Sequence, residues 1–307
     1  MQIYNNNSGK LSQVKELGFN LEKDMQSLTE ANLENIFGLE FIKTEFQLNN
    51  LRIDSLAFDN ETNSFVIIEY KRGNSYSVID QGMSYLALML NNKADFTQEL
   101  GRKRKEFIDV KDIDWSQSRV IIIADSFNRY QRESINFKDL AIELWELKQF
   151  SNGVVVFNPI KASNTTESIK TVTKFETDEF EKVNKEIKTY EIDDLIKPNW
   201  EYTRELYEDL RDFILSLDNN LKENITKFYA GYRKNIQNLV GLNFYKSGIA
   251  ITFVSLHKED LDDHKDMIKN IPEERGWGKK STLMVKDKDD LFYAKELIRE
   301  AYKKYNG

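Results

Sequence analysis

The feature that most constrains the fold is a pair of apolar segments separated by a short polar turn, within residues 51–71. The first segment reads Leu-Arg-Ile-Asp-Ser-Leu-Ala-Phe, and the second reads Phe-Val-Ile-Ile-Glu-Tyr-Lys. Apolar, β-branched segments of this length on both sides of a turn are typical of a β-hairpin. With a turn over residues 60–63, Asp54 on the first strand is predicted to lie opposite Glu69 on the second.

The end of this hairpin combines two carboxylates with a lysine. Glu69 and Lys71 are two residues apart, so their side chains point to the same face of a strand. Two facing carboxylates repel each other unless a cation lies between them. Asp54 and Glu69 are therefore candidate ligands of an oxygen-preferring cation, Mg²⁺ or Mn²⁺, with the carbonyl of Tyr70 as a further ligand. Lys71 would position or help to deprotonate an attacking water.

Composition excludes several other kinds of chemistry. The chain has no cysteine and only two histidines, His257 and His264, which argues against disulfides, thiolate zinc sites, cysteine nucleophiles and histidine-based metal sites. The formal net charge of −7 argues against a nonspecific nucleic-acid coat protein, although a local basic groove remains compatible with it. No apolar run approaches a membrane span and no signal peptide is recognisable, so a cytoplasmic location is expected.

The 307 residues are long enough for about two domains. We predict an α/β domain over residues 1–160, a charged linker over 161–200 and a smaller α+β domain over 201–307. In the first domain, the pattern predicts a helix over 21–37, capped by Asn20 and ended by Gly38. It also predicts a strand over 41–48, a helix opened by Ser77, a buried strand over 119–124, a helix over 137–150 and a strand over 153–157.

The second domain is predicted to place helices against an antiparallel sheet. An amphipathic helix is expected from Glu201 to about Leu217, and a closing helix over 289–302. Strands are expected over 225–229, 239–245, 249–255 and 283–285.

Several segments together resemble the PD-(D/E)XK nuclease superfamily, and within it the NucS-type and RecB-like nuclease domains. The resemblance covers about residues 15–160 and rests on these segments: Leu21-Glu22-Lys23-Asp24, Asn32-Leu33-Glu34, Arg52-Ile53-Asp54, Glu69-Tyr70-Lys71-Arg72-Gly73 and Gln81 with Tyr85. It implies a restriction-endonuclease-like mixed sheet flanked by helices, and metal-dependent hydrolysis of phosphodiester bonds, with DNA as the expected substrate.

The resemblance also assigns roles to individual residues. Asp54, Glu69 and Lys71 match the catalytic motif, and a glutamate of the first helix, either Glu22 or Glu34, joins the metal shell. Gln81 and Tyr85 match a Gln-x-x-x-Tyr motif that orients the substrate and the active site. Arg52 and Arg72 are the expected substrate contacts, and further basic residues that could meet phosphates are Arg102, Lys103, Arg104, Lys105, Arg119, Arg129 and Arg132.

The chain departs from this pattern in two places. Ile53 stands where the superfamily has its proline, and the second domain does not look like the DNA-clamping domain of NucS proteins. Residues 204–306 instead resemble a C-terminal domain of unknown function, through Phe228-Tyr229, the segment 239–253 and Gly276-Trp277-Gly278. The alternatives are a catalytically silent protein that binds nucleic acid and one that binds a protein partner, or a second copy of itself, through the C-terminal domain.

Overall fold

The computed structural model describes residues 2–48, 51–72, 77–136, 140–160, 182–183, 185–188, 190–234, 238–272 and 279–305. The chain divides into two compact units, 1–188 and 189–307. The division falls inside the segment assigned from sequence to a linker, of which residues 161–181 lie outside the described part. The Gly276-Trp277-Gly278 segment and Gly73 also lie outside it.

The first unit alternates strands and helices. Its strands are β1 (Ile3–Asn7), β2 (Lys10–Val14), β3 (Glu16–Leu17), β4 (Glu40–Leu48), β5 (Leu51–Asp59), β6 (Ser64–Lys71), β7 (Arg119–Ala124), β8 (Ile142–Phe150) and β9 (Val155–Ile160). Its helices are α1 (Glu22–Glu30), α2 (Leu33–Phe37), α3 (Val78–Asn91), α4 (Lys93–Arg104) and α5 (Arg129–Ser134). Short 3₁₀ turns at Val110–Asp112 and Trp115–Gln117 precede β7.

Seven of these strands form one mixed sheet. The strand order is β3-β8-β7-β6-β5-β4, with β9 pairing with β8 outside this path. The pairs β4–β5 and β5–β6 are antiparallel, whereas β6–β7 and β7–β8 are parallel. The predicted fold class, a mixed α/β sheet flanked by helices, is confirmed.

Helices cover both faces of the sheet. This explains why the central strands are apolar at consecutive positions and not only at every second one. One face, with Phe65, Ile67 and Ile122, packs against α3 and α4. The opposite face, with Ile68 and Ile123, packs against α1 and α2. Odd-numbered side chains of β6 therefore lie beside α3 and α4, and even-numbered ones lie beside α1 and α2. A carboxylate at the end of the strand lies beside one pair of helices or the other in the same way.

Two predictions within the first unit are wrong. Residues 142–150 form a strand rather than a helix, because even-numbered side chains such as Leu144 pack on the α3 face and odd-numbered ones such as Leu147 pack on the α1 face. The helix predicted over 21–37 is two helices, and Leu21 rather than Asn20 is the residue before the first. The side chain of Asn32 donates to the Leu28 carbonyl at 2.8 Å, and this local hydrogen bond accompanies the break.

The second unit has an antiparallel sheet and helices, as predicted. Its strands are β10 (Lys222–Ile225), β11 (Ala230–Arg233), β12 (Asn238–Tyr245), β13 (Gly248–Val254), β14 (Lys269–Ile271) and β15 (Lys280–Val285). Its helices are α6 (Ile192–Leu195), α7 (Glu201–Ser216) and α8 (Lys288–Tyr305), with a 3₁₀ turn at Lys258–Asp260. The strand order is β10-β11-β12-β13-β15-β14.

One core holds the second unit together. Helices α7 and α8 contact each other and pack through Leu210, Ile214 and Leu297 against sheet residues such as Ile251. The single strand predicted over 225–229 is wrong, because β10 ends at Ile225 and a turn closed by Thr226 and Tyr229 leads into β11. Among the described residues, no helix is long and apolar enough to cross a membrane.

Candidate active site

Glu69 is the buried centre of the charged cluster at the end of β6. Only 4% of the Glu69 surface is exposed. Its Oε1 accepts hydrogen bonds from Lys71 Nζ at 2.6 Å and from Gln81 Nε2 at 2.9 Å. Its Oε2 accepts a hydrogen bond from the Tyr85 hydroxyl at 2.8 Å. Strand β6 and helix α3 together therefore fix the orientation of this carboxylate.

Gln81 and Tyr85 reach Glu69 because of how α3 begins. The Ser77 hydroxyl accepts from the Asp80 backbone N–H, which caps the first turn of the helix. Gln81 and Tyr85 then lie one helical turn apart on the face toward the sheet. The Gln81 side chain also lies 3.4 Å from the Tyr85 hydroxyl, so both groups belong to one network around Glu69.

Asp54 lies where the β5 ladder is interrupted. The register between β5 and β6 is the predicted one, with Ser55 opposite Ile68 as its last pair. One carboxylate oxygen of Asp54 accepts a hydrogen bond from the Tyr70 backbone N–H at 3.1 Å. On the β4 side the pairing passes from Ser55 to Ile53, and Glu45, which this register would set against Asp54, has a positive φ of 48°.

The electrostatics of the two carboxylates differ from those of surface acids. Burial raises the pKa of Asp54, even though the Tyr70 N–H and the charge of Lys71 act in the opposite direction. Burial also raises the pKa of Glu69, and the negative charge of Asp54 raises it further. Two desolvated like charges at one point are the arrangement that a bound cation would relieve.

Lys71 is a half-buried cation in contact with Glu69. Burial alone would lower its pKa, but the hydrogen bond and charge of Glu69, together with the charges of Asp54 and Glu22, raise the pKa overall. The protein's own groups therefore hold Lys71 protonated. Deprotonation of water by Lys71 would need a nearby cation to lower the proton affinity of this lysine, and that role stays a prediction.

A polar network behind the sheet was missed from the sequence. The buried side chain of Gln26 on α1 donates to the Asp54 carbonyl at 2.7 Å, and also to Glu30 and Thr44. The Ser55 hydroxyl donates to Glu30 at 2.6 Å and lies 3.3 Å from the Tyr70 hydroxyl. The sequence carries no clear signal for this contact, because the neighbours of Gln26 one helical turn away are Glu22, Thr29 and Glu30.

The two candidate helix glutamates are in different places. The Glu22 carboxylate accepts from the Arg72 backbone N–H at 2.7 Å and its charge acts on Lys71, so it lies at the edge of the cluster. Glu34 is exposed on α2, and no described contact joins it to Asp54, Glu69 or Lys71. The structure therefore brings Glu22, rather than Glu34, to this end of the hairpin.

The arginines proposed as substrate contacts remain at the surface. The Arg72 guanidinium donates to the Asn20 carbonyl. The side chain of Arg52 is 63% exposed, 3.9 Å from Glu45, and its carbonyl lies 3.5 Å from the Tyr85 hydroxyl. Tyr70 supplies only main-chain groups here, since its ring is buried on the α1 face.

Several other basic residues named from the sequence are held in ion pairs. Arg104 contacts Glu40 at 2.6 Å, and Arg102 contacts Glu99 at 2.5 Å. Arg119 lies between Asp59 and Glu143, and Arg132 pairs with Glu146. These pairings neutralise much of the positive charge that the sequence offered for phosphate contacts.

The donor set at the cluster fits a hard divalent cation that keeps several waters. Asp54 and Glu69 supply carboxylate oxygens, with the Tyr70 carbonyl next to them in the chain. Within the described residues, no group of three or more histidines, cysteines or carboxylates has the geometry of a ready metal cage. A site with two carboxylates and a backbone carbonyl is the arrangement that these residues allow.

Comparisons with known proteins place the chain in a family. No protein-family model matches it. An uncharacterized protein of Haemophilus influenzae is 41% identical over 304 residues, which span 99% of this chain and 100% of that protein. The fold and site define an α/β protein with a carboxylate–lysine cluster at the edge of a mixed sheet. The chain belongs to the same family as the Haemophilus influenzae protein.

Similar solved structures cover only part of the chain. A structure of an EndoMS–double-stranded DNA complex and a repair endonuclease from Pyrococcus abyssi are each 17% identical over 43% of this chain, with TM-scores of 0.25 and 0.24. The matched part spans about half of each of those chains, 47% and 50%. SfsA of Pyrococcus furiosus, in a structure with Ca²⁺, is 13% identical over 52% of this chain, with a TM-score of 0.26.

Proposed function

We propose that the protein is a Mg²⁺- or Mn²⁺-dependent nuclease that hydrolyses phosphodiester bonds, with DNA as its substrate. The observation that carries the proposal is the facing pair of the half-buried Asp54 and the buried Glu69, with Lys71 hydrogen-bonded to Glu69. Carboxylates whose pKa burial raises, beside a cationic side chain at the end of a sheet, are a recognised feature of functional sites.

Each residue of the cluster has a definite task in this proposal. Asp54 and Glu69, with the Tyr70 carbonyl, would hold the cation. Lys71, held protonated by its neighbours, would orient the attacking water and place positive charge beside the phosphate. Gln81 and Tyr85 keep the Glu69 carboxylate in one orientation through hydrogen bonds to its two oxygens. The bound cation would supply Lewis-acid charge that stabilises the reacting phosphate.

Three surface residues complete the proposed site. Glu22 would add negative charge next to Lys71 or reach the cation through a water. Arg52 and Arg72 would contact the substrate backbone, because both side chains lie at the exposed margin of the cluster. Glu34 is the weaker candidate for the metal shell, since it is exposed on α2.

The test is incubation of the purified protein with single-stranded, nicked, branched and duplex DNA in Mg²⁺ or Mn²⁺. We expect cleavage that stops when the cation is chelated. Lys71→Ala should lower the rate by about 100-fold or more, since removing one positioned group that stabilises transition-state charge typically costs about 10²–10³-fold. Lys303→Ala, at an exposed position of α8, is the matched control and should cleave at the wild-type rate. Absence of cleavage in every condition, or equal cleavage by Lys71→Ala, would refute the proposal.

The second candidate is a catalytically silent protein that binds nucleic acid or a protein partner. The observation in its favour is that Lys71, Gln81 and Tyr85 already satisfy both oxygens of Glu69. DNA binding without turnover, at an affinity that Lys71→Ala leaves unchanged, would support this candidate. A rise in thermal stability on addition of Mn²⁺ that Glu69→Gln abolishes would favour the first candidate.

A further inference from the structure

The six-stranded sheet of the second unit has one covered face and one open face. Along β13, Ile249, Ile251 and Phe253 are fully buried against α7 and α8, whereas Ala250 and Thr252 between them are partly exposed. The same alternation runs along β15, where Thr282 and Met284 are partly exposed. We call the surface formed by these alternate residues of β10–β15 the open face.

The charge of the open face is opposite in sign to that of the chain as a whole. Lys222 of β10 lies directly opposite Arg233 of β11, which places two positive side chains together. At the other edge, Lys269 of β14 and Lys280 of β15 occupy the same face on neighbouring strands. Among the described residues of the six strands, the open face carries no Asp or Glu, although the whole chain has a net charge of −7.

Aromatic side chains lie between these two basic edges. The ring of Tyr229 rests on the backbone of Gly241, where a Cβ would lie 3.3 Å from it. Tyr245 ends β12 on the open face and is 49% exposed, since its neighbour Phe244 packs toward the core. Phe228, in the turn before β11, is 60% exposed. Because Gly241 has no side chain, the partly exposed ring of Tyr229 can lie close to the sheet. This arrangement gives a flat surface on which another ring can stack.

We propose that the open face binds single-stranded nucleic acid, with Lys222, Arg233 and Lys269 contacting phosphates and Tyr229 and Tyr245 stacking against bases. Positive charge that follows a backbone, combined with aromatic side chains on a sheet, is the general means of holding unpaired strands. The six strands span about 24 Å at about 4.8 Å per strand, which accommodates several nucleotides. This binding does not require cleavage at Glu69 and goes beyond the proposed function.

An unpaired strand fits this surface better than a duplex or a protein partner does. In a duplex the bases are already stacked on one another, so the rings of Tyr229 and Tyr245 would find no free base face. A homodimer formed through this face would set Lys222 and Lys269 of one copy against the same cations of the other, which is electrostatically unfavourable. The charge of the open face therefore selects an anionic partner.

The test is fluorescence anisotropy of the full chain with labelled oligothymidylate and, in parallel, oligouridylate, with the divalent cation chelated. The basic-edge variant is Lys222→Glu with Lys269→Glu, and its control is Lys303→Glu with Lys288→Glu, which makes the same charge change on α8. We expect the basic-edge variant to lower affinity at least about tenfold. It should also reduce the salt slope by about 1.4, at about 0.7 per phosphate contact. The control pair should bind nearly as the wild type does.

A second pair of variants separates stacking from charge. Tyr245→Ala should lower affinity about fivefold or more at constant salt slope, whereas Phe292→Ala, which removes an even more exposed aromatic on α8, should leave it unchanged. Equal affinity for oligothymidylate and oligouridylate would show that the site binds single strands of either kind. A higher affinity for one of them would identify DNA or RNA as the preferred ligand. No binding, equal loss in the control pairs, or a concentration-dependent dimer that only Lys222→Glu with Lys269→Glu disrupts would overturn the proposal.

Discussion

Glu69 in the first unit and Glu223 in the second are bound by similar partners but sit in different electrostatic settings. Glu69 accepts hydrogen bonds from Lys71, Gln81 and Tyr85. Glu223 accepts them from Arg211 and from the hydroxyls of Tyr207 and Tyr232. Glu69 also faces the carboxylate of Asp54, whereas the partners of Glu223 are a guanidinium and two phenols.

This contrast separates a candidate functional site from a structural one. Burial and the charge of Asp54 raise the pKa of Glu69. In the second unit, hydrogen bonds from Lys234, the Asn220 N–H and Tyr302 lower the pKa of Asp218. Asp218 is thus stabilised in its charged form, while Asp54 and Glu69 of the first unit are destabilised in theirs. Carboxylates with raised pKa values cluster at functional sites, which makes Asp54 and Glu69 the candidate pair.

The largest expected effect concerns catalysis. Glu69→Gln should lower DNA cleavage by at least about 100-fold, because it removes a charged ligand from the proposed cation site. Glu223→Gln makes the same chemical change in a cluster with no catalytic role and should leave the rate within about twofold. The rates are compared under identical Mn²⁺ concentrations. Equal losses in the two variants would remove the functional distinction between the glutamates.

The next largest effect concerns stability of the second unit. Glu223→Ala leaves the hydroxyl of the fully buried Tyr232 without this acceptor, which should lower the free energy of unfolding by about 1–3 kcal/mol. Urea unfolding measures this change. The variant Glu223→Ala with Tyr232→Phe should recover part of the loss, because it removes the unpaired hydroxyl together with its acceptor. An additive loss would show that Glu223 acts independently of that hydroxyl.

A smaller effect is expected behind the site. Gln26→Leu removes the side chain that donates to the Asp54 carbonyl and should weaken Mn²⁺ binding or activity about tenfold, as outer-shell substitutions do. Gln47→Leu, at an exposed position of β4, is the matched control. Retained wild-type metal affinity in a folded Gln26→Leu protein would show that Asp54 holds its position without this contact.

Much of the first unit could be predicted from local patterns, because the hairpin and the start of α3 obey short-range rules. The turn at 60–63 sets the register that opposes Asp54 and Glu69, and the Ser77 cap sets the phase that brings Gln81 and Tyr85 to Glu69. Strand β8 could not be predicted in this way. Its apolar residues lie on both faces of a mixed sheet that helices cover on each side, and a short run of that kind is compatible with a buried helix as well.

The contacts that the sequence did not reveal are those set by tertiary packing. Gln26 meets the Asp54 carbonyl only because α1 lies over the interruption in the β5 ladder. Arg104 and Arg119 looked available for phosphates, yet their partners Glu40 and Asp59 are distant in the chain. Charge patterns along a sequence do not state which side chains are already neutralised in the fold.

The smallest expected effect tests directly whether the charged form of Glu69 destabilises the folded protein. Since burial and the charge of Asp54 raise the pKa of Glu69, its charged form is less stable in the folded protein than in the unfolded chain, and Glu69→Gln should raise the melting temperature of the cation-free protein at neutral pH. A raised folded-state pKa gives stability that is present below the unfolded value, about 4.3, and is lost as the pH rises through the folded value. The advantage of Glu69→Gln in melting temperature should therefore shrink as the pH falls toward about 4. A divalent cation should stabilise only the wild type, so that in its presence the wild type melts at a higher temperature than Glu69→Gln. A Glu69→Gln protein that is less stable than the wild type at neutral pH, without cation, would show that the bonds from Lys71, Gln81 and Tyr85 outweigh the repulsion from Asp54.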